Sequence, residues 1–465
     1  MDPATQISGY DKSFKTAIIA ASSLVSFFSA FLSSATTLAL PDIGNKFNTN
    51  AIQLGWVTSS YILASAISML PFGRLADIIG RRKIFFFGII LFTASTFLIV
   101  FSWNINIVIV LRVIQGLSSG MIFSTSMAIV TAVFKPGERG RAISISVTST
   151  YLGSSFAPIL GGLFTQYFGW RSIFIFPIPF QIIALLLVKQ RIKTEWAGAA
   201  GEKFDWRGSI LYGIGIFGIM YGFTILPTLT GWINLSIGLL LILLFIRIEL
   251  RTSNPVFEFK LIFENRVFAF SSLTALINYS ATNAITFFMS LYLQYLKGYS
   301  AKITGIIFIS YPLAMTIMSP AAGRLSDKNN PGKVASLGMI IISVCLFLFS
   351  FINESTHIAY LIPILTMVGI GFGLFSSPNI NAIMSSVDKK YLGIANGTLG
   401  TMRMIGQMMS MSIAMMLMSI YIGKEPISPI VYPGLLKTIQ TGFLIFAILS
   451  TIGIFTSLAR NKKAD

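Results

Sequence analysis

The chain is dominated by apolar stretches of about 20 residues, each separated from the next by a short polar segment. An α-helix of that length crosses the roughly 30 Å hydrocarbon core of a bilayer. Only 11% of the residues are charged, whereas soluble domains carry roughly 25%. The sequence therefore predicts an all-α polytopic membrane protein.

Fourteen membrane spans are predicted. The first is longer than the roughly 7–15-residue apolar core of a signal peptide, so it is expected to remain as a membrane helix. The spans are predicted at 16–41, 53–72, 84–102, 107–131, 142–165, 171–189, 209–227, 232–250, 267–294, 303–322, 333–352, 358–384, 393–421 and 437–459.

The positive charges favour one side of this arrangement. With a cytoplasmic N-terminus, the cytoplasmic segments hold twenty-six of the 34 Lys and Arg residues and the opposite loops hold six. Cytoplasmic loops are enriched in these residues, so both termini are predicted in the cytoplasm of a multi-pass plasma-membrane protein. The net charge of +18 does not indicate nucleic-acid binding, because the charges lie in short loops.

Several functional classes are excluded by what the sequence contains. A single cysteine, Cys345, allows no intrachain disulfide or cysteine metal site, and a single histidine, His357, disfavours a histidine-ligated metal. The sequence shows no Gly-Lys-Ser/Thr phosphate loop or catalytic constellation. We therefore expect neither an enzyme nor an ATP-driven pump, and no cofactor.

A Gly-Arg-Leu-x-Asp motif at 73–77 returns at 323–327, each time after an apolar span. Such a repeat indicates two similar halves. Polar connections at 190–208 and 251–266 bracket spans seven and eight. The predicted organisation is a six-helix half at 1–190, two inserted helices at 191–260 and a second six-helix half at 261–465.

The first motif has a local physical interpretation. Gly73 and Gly80 permit a tight turn, and Asp77 is expected near the start of the next helix, where the helix dipole favours a carboxylate. Arg81 and Arg82 would hold the loop at the cytoplasmic surface. The alternative is an ordinary stop-transfer loop, which the duplicated motif makes less attractive.

Three segments carry a resemblance to a known family: 73–83, 111–116 and 153–162. In this order and spacing, they make the chain resemble the major facilitator superfamily, and within it the fourteen-helix drug:H+ antiporter group. The chain departs from the family pattern at Ile78, where Arg is usual, and at Ala157, where Gly is usual. Shorter matching runs lie at 134–142, 205–208, 377–381 and 393–407.

The resemblance implies alternating access between two rocking halves. It implies that the repeated loops act as conformational switches. Their candidate residues are Gly73, Asp77, Gly80, Arg81, Arg82, Gly323 and Asp327. It also implies a sealing contact between the halves at Gly153, Pro158, Gly161 and Gly162, for which the alternative is ordinary small-residue helix packing.

Two arginines, Arg112 and Arg403, lie inside predicted spans and away from the span ends that hold Arg171 and Arg247. An arginine there costs several kcal/mol unless it is paired or reaches water. Either could serve substrate binding or proton coupling in a central cavity. The alternatives are snorkelling to the membrane surface for Arg112 and structural capping between helices for Arg403.

A proton-coupled exporter needs a titratable group in its route, yet all 16 acidic residues lie at span ends, in loops or in the tails. Related exporters carry an Asp in helix one where this chain has Leu32. The nearest candidate is Asp42, for which a surface carboxylate at a helix end is the alternative. Polar candidates for the cavity wall are Thr36, Thr37, Gln115, Asn278, Asn283 and Asn379, each of which could equally join helices.

Three functions remain open from the sequence. The first is a monomeric exporter of small amphipathic compounds in the lipid bilayer, driven by protons. The second is a proton-independent facilitator or lipid-type translocator of the same fold, which the missing acid favours. The third is a non-transporting membrane scaffold or sensor, which the switch motifs disfavour.

Overall fold

The computed structural model describes residues 11–134, 136–252, 255–257, 259–387, 392–423 and 425–460. These residues form a helical bundle, so the predicted all-α architecture is confirmed. The first helices are α1 (Lys12–Phe47), α2 (Ala51–Ile79), α3 (Arg81–Val100), α4 (Ile105–Val133), α5 (Pro136–Phe168), α6 (Ser172–Ile175), α7 (Ile178–Arg191), α8 (Trp206–Thr224) and α9 (Leu229–Glu249). They are followed by α10 (Phe259–Glu264), α11 (Arg266–Thr282), α12 (Ala284–Leu291), α13 (Ala301–Phe308), α14 (Ser310–Lys328), α15 (Pro331–Phe349), α16 (Ile358–Ser385), α17 (Leu392–Tyr421) and α18 (Tyr432–Ala459).

Each predicted span coincides with a helix or with consecutive helices that continue one another. The span at 171–189 is divided into α6 and α7, the one at 303–322 into α13 and α14, and the one at 267–294 into α11, α12 and the π-helical turn Tyr292–Leu296. Eleven helical segments are long and apolar enough to cross a membrane. The other three of the fourteen are helical but fall outside that set.

Side-chain hydrogen bonds cap the starts of α2 and α4. Asn50 precedes α2, and its Oδ1 accepts a hydrogen bond from Gln53 N at 2.8 Å. Asn104 precedes α4 and accepts one from Ile107 N at 2.9 Å. Each cap satisfies a free N–H of the first turn, which allows connections of only a few residues between long helices.

A second repeated feature is a close contact between packed helices. Gly116 on α4 meets the carbonyl oxygen of Tyr61 on α2, and Gly369 on α16 meets the carbonyl oxygen of Tyr311 on α14. A side chain at either glycine would collide with that backbone. Two helix pairs therefore approach through the same small-residue contact, as expected for two similar halves.

Helices α1–α7 form an N-terminal bundle and α11–α18 form a C-terminal bundle. The bundles meet where α5 packs against α13, α2 against α17, and α1 against α12. The inserted helices α8 and α9 pack against each other, and α8 also contacts α2 and α17. The inserted pair therefore touches both bundles.

Candidate functional site

A cavity of about 190 Å³ lies between the two bundles. Most of the lining residues are polar or aromatic, with contributions from α1, α2, α4, α5, α11, α12, α13, α14, α16 and α17. The polar and aromatic side chains of the N-terminal bundle are Ser29, Ser33, Ser34, Thr37, Thr58, Tyr61, Phe123, Thr150, Tyr151 and Ser154. Those of the C-terminal bundle include Tyr279, Thr282, Asn283, Thr286, Phe287, Phe308, Tyr311, Phe372, Arg403 and Gln407.

Arg403 is the one charged side chain among the described residues that line this cavity. Its guanidinium carbon lies 5.3 Å from the centre of the Tyr279 ring. Its Nε is buried and has no hydrogen-bond partner among the described groups. The cavity therefore presents a positive charge beside aromatic rings, an arrangement that suits planar neutral or anionic ligands.

Arg112 lies behind the cavity wall and does not line it. The side chain is fully buried, and its Nε donates to Val57 O at 3.0 Å while Nη1 donates to Gln115 Oε1 at 2.5 Å. Gln115 is also buried and donates to Thr96 Oγ1 at 2.7 Å. This network joins α2, α3 and α4. The Arg112 side chain therefore neither extends to the membrane surface nor lines the central cavity.

Helix α1 supplies hydroxyl groups to the cavity and no carboxylate. Thr37 lines the cavity, whereas the Thr36 hydroxyl is buried and donates to Leu32 O at 2.6 Å within the helix. Leu32 itself is fully buried. Asp42 is partly buried at the far end of α1 and is not part of the cavity wall.

The three asparagines predicted for the wall lie in different environments. Asn283 lines the cavity, and its Nδ2 lies 3.5 Å from Gln407 O. Asn278 is fully buried, and its amide atoms have no hydrogen-bond partner in the described part of the chain. Asn379 accepts a hydrogen bond from Arg460 at 2.8 Å and donates to Ser271 O.

Arg460 follows the last predicted span, on the predicted cytoplasmic side, and is 3% exposed. Its guanidinium also donates to Gly332 O at 3.1 Å and to Ser457 Oγ at 2.8 Å. These bonds join α18 to α15 and α16. Its position directly after the last apolar span gave no sign of burial, because a long side chain there usually reaches water.

The switch motif differs from its prediction in one respect. Asp77 lies in the last turn of α2, before the break at Gly80 (φ +121°), and not at the start of α3. It accepts a hydrogen bond from Arg81 Nε at 2.7 Å, and Arg81 also donates to Ala128 O at 3.1 Å. Asp77 therefore joins α2 to the first residue of α3.

Glu195 occupies the helix start that was predicted for Asp77. Its carboxylate accepts hydrogen bonds from Arg82 N at 2.7 Å and Lys83 N at 3.2 Å. These are free N–H groups at the start of α3, where a negative charge is favoured. The carboxylate reaches α3 because the connection after α7 folds back over the motif.

That connection makes further contacts with the motif. Trp196 O accepts from Arg81 N at 2.9 Å, and Ala199 N donates to Asp77 O at 2.9 Å. Arg74 pairs with Glu202, and Arg82 Nε donates to Ile192 O. We refer to residues 192–202 as the strap.

The second copy of the motif is described in part. Gly323 lies close to Ser377, whose Oγ would be 3.1 Å from an added Cβ. Gly73, in the first copy, faces Ser124 on α4 in the same manner at 3.4 Å. The side chain of Asp327, predicted as a switch carboxylate, lies outside the described residues.

The small residues of α5 face two different neighbours. Gly153 and Gly161 face α1, where Cβ atoms would meet the Phe27 backbone and Ala35 Cβ. Gly162 faces α13, where a Cβ would lie 2.6 Å from Ala301 O, and the Pro158 carbonyl oxygen lies against Gly305 of α13. Pro158 and Gly162 thus contact the other bundle, and the other two glycines pack within their own.

The bundles are hydrogen-bonded at the end opposite the start of α1 and the end of α18, which we call the distal end. Ser290 Oγ donates to Thr37 O at 3.0 Å, and Gln294 Nε2 donates to Leu38 O at 2.9 Å. Lys302 Nζ donates to Tyr167 Oη at 3.1 Å. These bonds join the two bundles at the distal end.

Two helical bundles around a central cavity are the architecture of a membrane transporter. The chain belongs to the Major Facilitator Superfamily, whose sequence model matches residues 22–411. Its family and relatives are transporters and not enzymes, and it is a multi-pass membrane protein of the plasma membrane.

Two relatives are named for specific activities. The chain is 29% identical to the "Riboflavin transporter RibZ" of Clostridioides difficile, over 81% of this chain and 82% of the relative. It is 29% identical to the "Multidrug resistance protein Stp" of Mycobacterium tuberculosis, over 79% of this chain and 69% of the relative. The resemblance to drug-type members of the family is therefore confirmed.

A solved structure shares the fold. A bacterial homolog of the human lysosomal transporter Spinster, in an inward-facing and unoccupied conformation, superimposes with a TM-score of 0.70. The superposition covers 97% of this chain and 98% of the other, at 15% sequence identity.

Proposed function

We propose that the protein is a secondary transporter that exports small amphipathic, drug-like compounds by alternating access. The observation that carries the proposal is the cavity, which takes side chains from both bundles. The proposal includes fourteen membrane crossings, both termini in the cytoplasm, and division into 1–190, 191–260 and 261–465. A monomer suffices, because one chain forms the cavity.

The conformation is proposed to be inward-facing. The bonds from Ser290 and Gln294 to α1 close the distal end, which the predicted orientation places outside the cell. In the transport cycle these bonds must break so that substrate can leave on that side. The similar solved structure, which is inward-facing, supports the assignment.

The cavity wall favours planar neutral or anionic substrates. A cationic compound would meet the charge of Arg403 and no carboxylate among the described lining residues. The rings of Tyr151, Tyr279 and Tyr311 supply flat apolar surfaces beside that charge. Relatives named for riboflavin and for multidrug resistance are compatible with such a substrate class.

A second candidate is a proton-independent facilitator or lipid-type translocator. It is favoured by the lining, in which no described side chain is acidic, because proton exchange needs a group that titrates in the transport route. Proton-coupled export would then depend on a carboxylate away from the cavity, such as Asp42.

Proteoliposomes with a pH indicator in the lumen test both candidates. Fluorescein and rhodamine 123 share a ring system and differ in charge, so their flux can be compared directly. Flux of fluorescein with a lumenal pH change supports proton-coupled transport, and flux without it supports the facilitator. No flux of either dye or of neutral amphipathic dyes through folded protein would favour a non-transporting scaffold.

A matched pair of variants connects flux to the cavity. Arg403→Gln should reduce fluorescein flux, because it removes the charge of the wall. Arg266→Gln removes an arginine on the exposed start of α11 and should leave flux unchanged. Equal flux in the two variants would contradict the role of Arg403.

A further inference from the structure

Two acidic residues meet where the start of α8 lies beside the end of α9, away from the cavity. Asp205 precedes α8, and its Oδ1 accepts a hydrogen bond from Gly208 N at 2.9 Å. Glu249 is the last residue of α9 and is 3% exposed. Its Oε2 accepts from Phe257 N at 3.0 Å. A main-chain N–H therefore fixes one oxygen of each carboxyl group.

The other two oxygens face each other. Asp205 Oδ2 and Glu249 Oε1 are both buried and have no hydrogen-bond partner in the described part of the chain. Both border the space beside Gly208, where the Cβ of any side chain would meet each of them. A Cβ at Gly208 would lie 2.4 Å from Glu249 Oε1 and 2.6 Å from Asp205 Oδ2, so the two oxygens are no farther apart than the sum of these two distances.

No described basic side chain neutralises the pair. The basic residues of the adjoining segments point to solvent: Lys203, Arg207, Arg247 and Arg251. On the helices that pack against α8, Arg74 is paired with Glu202 and Arg403 lies at the cavity. An ionised carboxylate only accepts hydrogen bonds, so two ionised groups here would oppose one another without a donor.

We propose that Asp205 and Glu249 share one proton and form a proton-binding site built by the inserted helices. The proton lies between Oδ2 and Oε1, and the pair carries a single negative charge. Two carboxyl groups at this separation cannot both ionise without a large electrostatic cost. Gly208 leaves the space that allows the oxygens to approach.

The carboxyl pair connects helices that contact both bundles. It joins the start of α8 to the end of α9, and α8 packs against α2 and α17. Loss of the shared proton would drive the two helix ends apart by repulsion. The proposal is independent of the transported substrate and of proton coupling in the cavity.

Thermal unfolding of the purified full-length protein in detergent, without substrate, tests the site. The Tm of the unmodified protein should fall as the pH rises from about 5 to about 9, because the proton stabilises the folded state and is lost at high pH. Glu249→Gln replaces the protonated carboxyl with an amide that can donate to Asp205. This variant should lose that component of the pH dependence.

Glu354→Gln is the matched control, because Glu354 is an exposed acid on a loop at the distal end, and it should keep the original pH profile. Asp205→Asn retains the capping oxygen and serves as a second variant if Glu249→Gln does not fold. The same pH profile in either folded variant as in the unmodified protein would overturn the proposal.

Infrared spectroscopy gives an independent measurement. The unmodified protein should show the stretch of a protonated carboxyl at neutral pH, and Glu249→Gln should lack it. Absence of that band from the unmodified protein would overturn the proposal. So would a rise in Tm at high pH on replacing choline by sodium at constant ionic strength, because a bound metal ion would then neutralise the pair.

Discussion

The guanidinium carbon of Arg112 lies 4.3 Å from the centre of the Tyr61 ring. Tyr61 lines the cavity and Arg112 is fully buried behind it. The Tyr61 hydroxyl lies 2.8 Å from Ser29 Oγ and 2.8 Å from Ser119 Oγ. Arg112 therefore packs against the face of a cavity-lining ring whose hydroxyl is also held by hydrogen bonds.

Arg112→Met should destabilise the protein. The change leaves Gln115 Oε1 without its Arg112 donor and removes the side-chain hydrogen bond to Val57 O, and an unsatisfied buried polar group costs about 1–3 kcal/mol. Thermal unfolding would show a lower Tm, whereas Arg403→Met should unfold near the original temperature. A larger loss of stability in Arg403→Met would contradict the assignment of the two arginines.

Arg403→Glu should reverse the charge preference of the cavity. Fluorescein binding, measured by fluorescence anisotropy, should weaken at least about tenfold, equivalent to about 1.4 kcal/mol, and rhodamine 123 binding should strengthen. The reason is that Arg403 supplies the charge of the described wall. An unchanged ratio of the two affinities would show that the dyes bind elsewhere.

Gly162→Ala should slow transport while the protein still folds. The new methyl group would lie 2.6 Å from Ala301 O, so α5 and α13 must separate at the contact between the bundles. Gly397→Ala is the control, because a methyl there meets nothing within 4 Å. Equal flux in the two variants would show that close approach at Gly162 is dispensable.

Glu195→Ala should weaken the attachment of the strap to α3. It removes the acceptor for Arg82 N and Lys83 N, a loss comparable to that of a helix cap at about 1 kcal/mol. Proteolysis within 192–202 should become faster than in Glu354→Ala. If the strap is cleaved at the same rate in both variants, it is held by its other contacts.

Gln294→Leu combined with Ser290→Ala should open the distal end more often. The pair of changes removes the hydrogen bonds to Leu38 O and Thr37 O. A cysteine placed at Thr286 in the cavity, in a Cys345→Ala background, should then react faster with a membrane-impermeant thiol reagent from outside. An unchanged labelling rate would mean that these bonds do not limit opening.

The sequence by itself determined the helical architecture and its duplication. Lipid offers no hydrogen bonds to the backbone, so long apolar stretches must become helices. The Gly-Arg-Leu-x-Asp repeat predicts two similar halves, and the matching contacts of Gly116 and Gly369 are compatible with that prediction. Helix breaks within spans, as between α11 and α12, were not visible in the apolar pattern.

The tertiary structure decided which polar residues act together. Arg112 and Arg403 look equivalent in the sequence, yet packing buries the first in a hydrogen-bond network and places the second at the cavity. Glu195 caps α3 in place of Asp77 because the strap folds back over the loop. Asp205 and Glu249 are far apart in the chain and meet only because α8 and α9 pair. Hydropathy is a property of each segment alone, whereas the partner of a buried charge depends on which helices become neighbours.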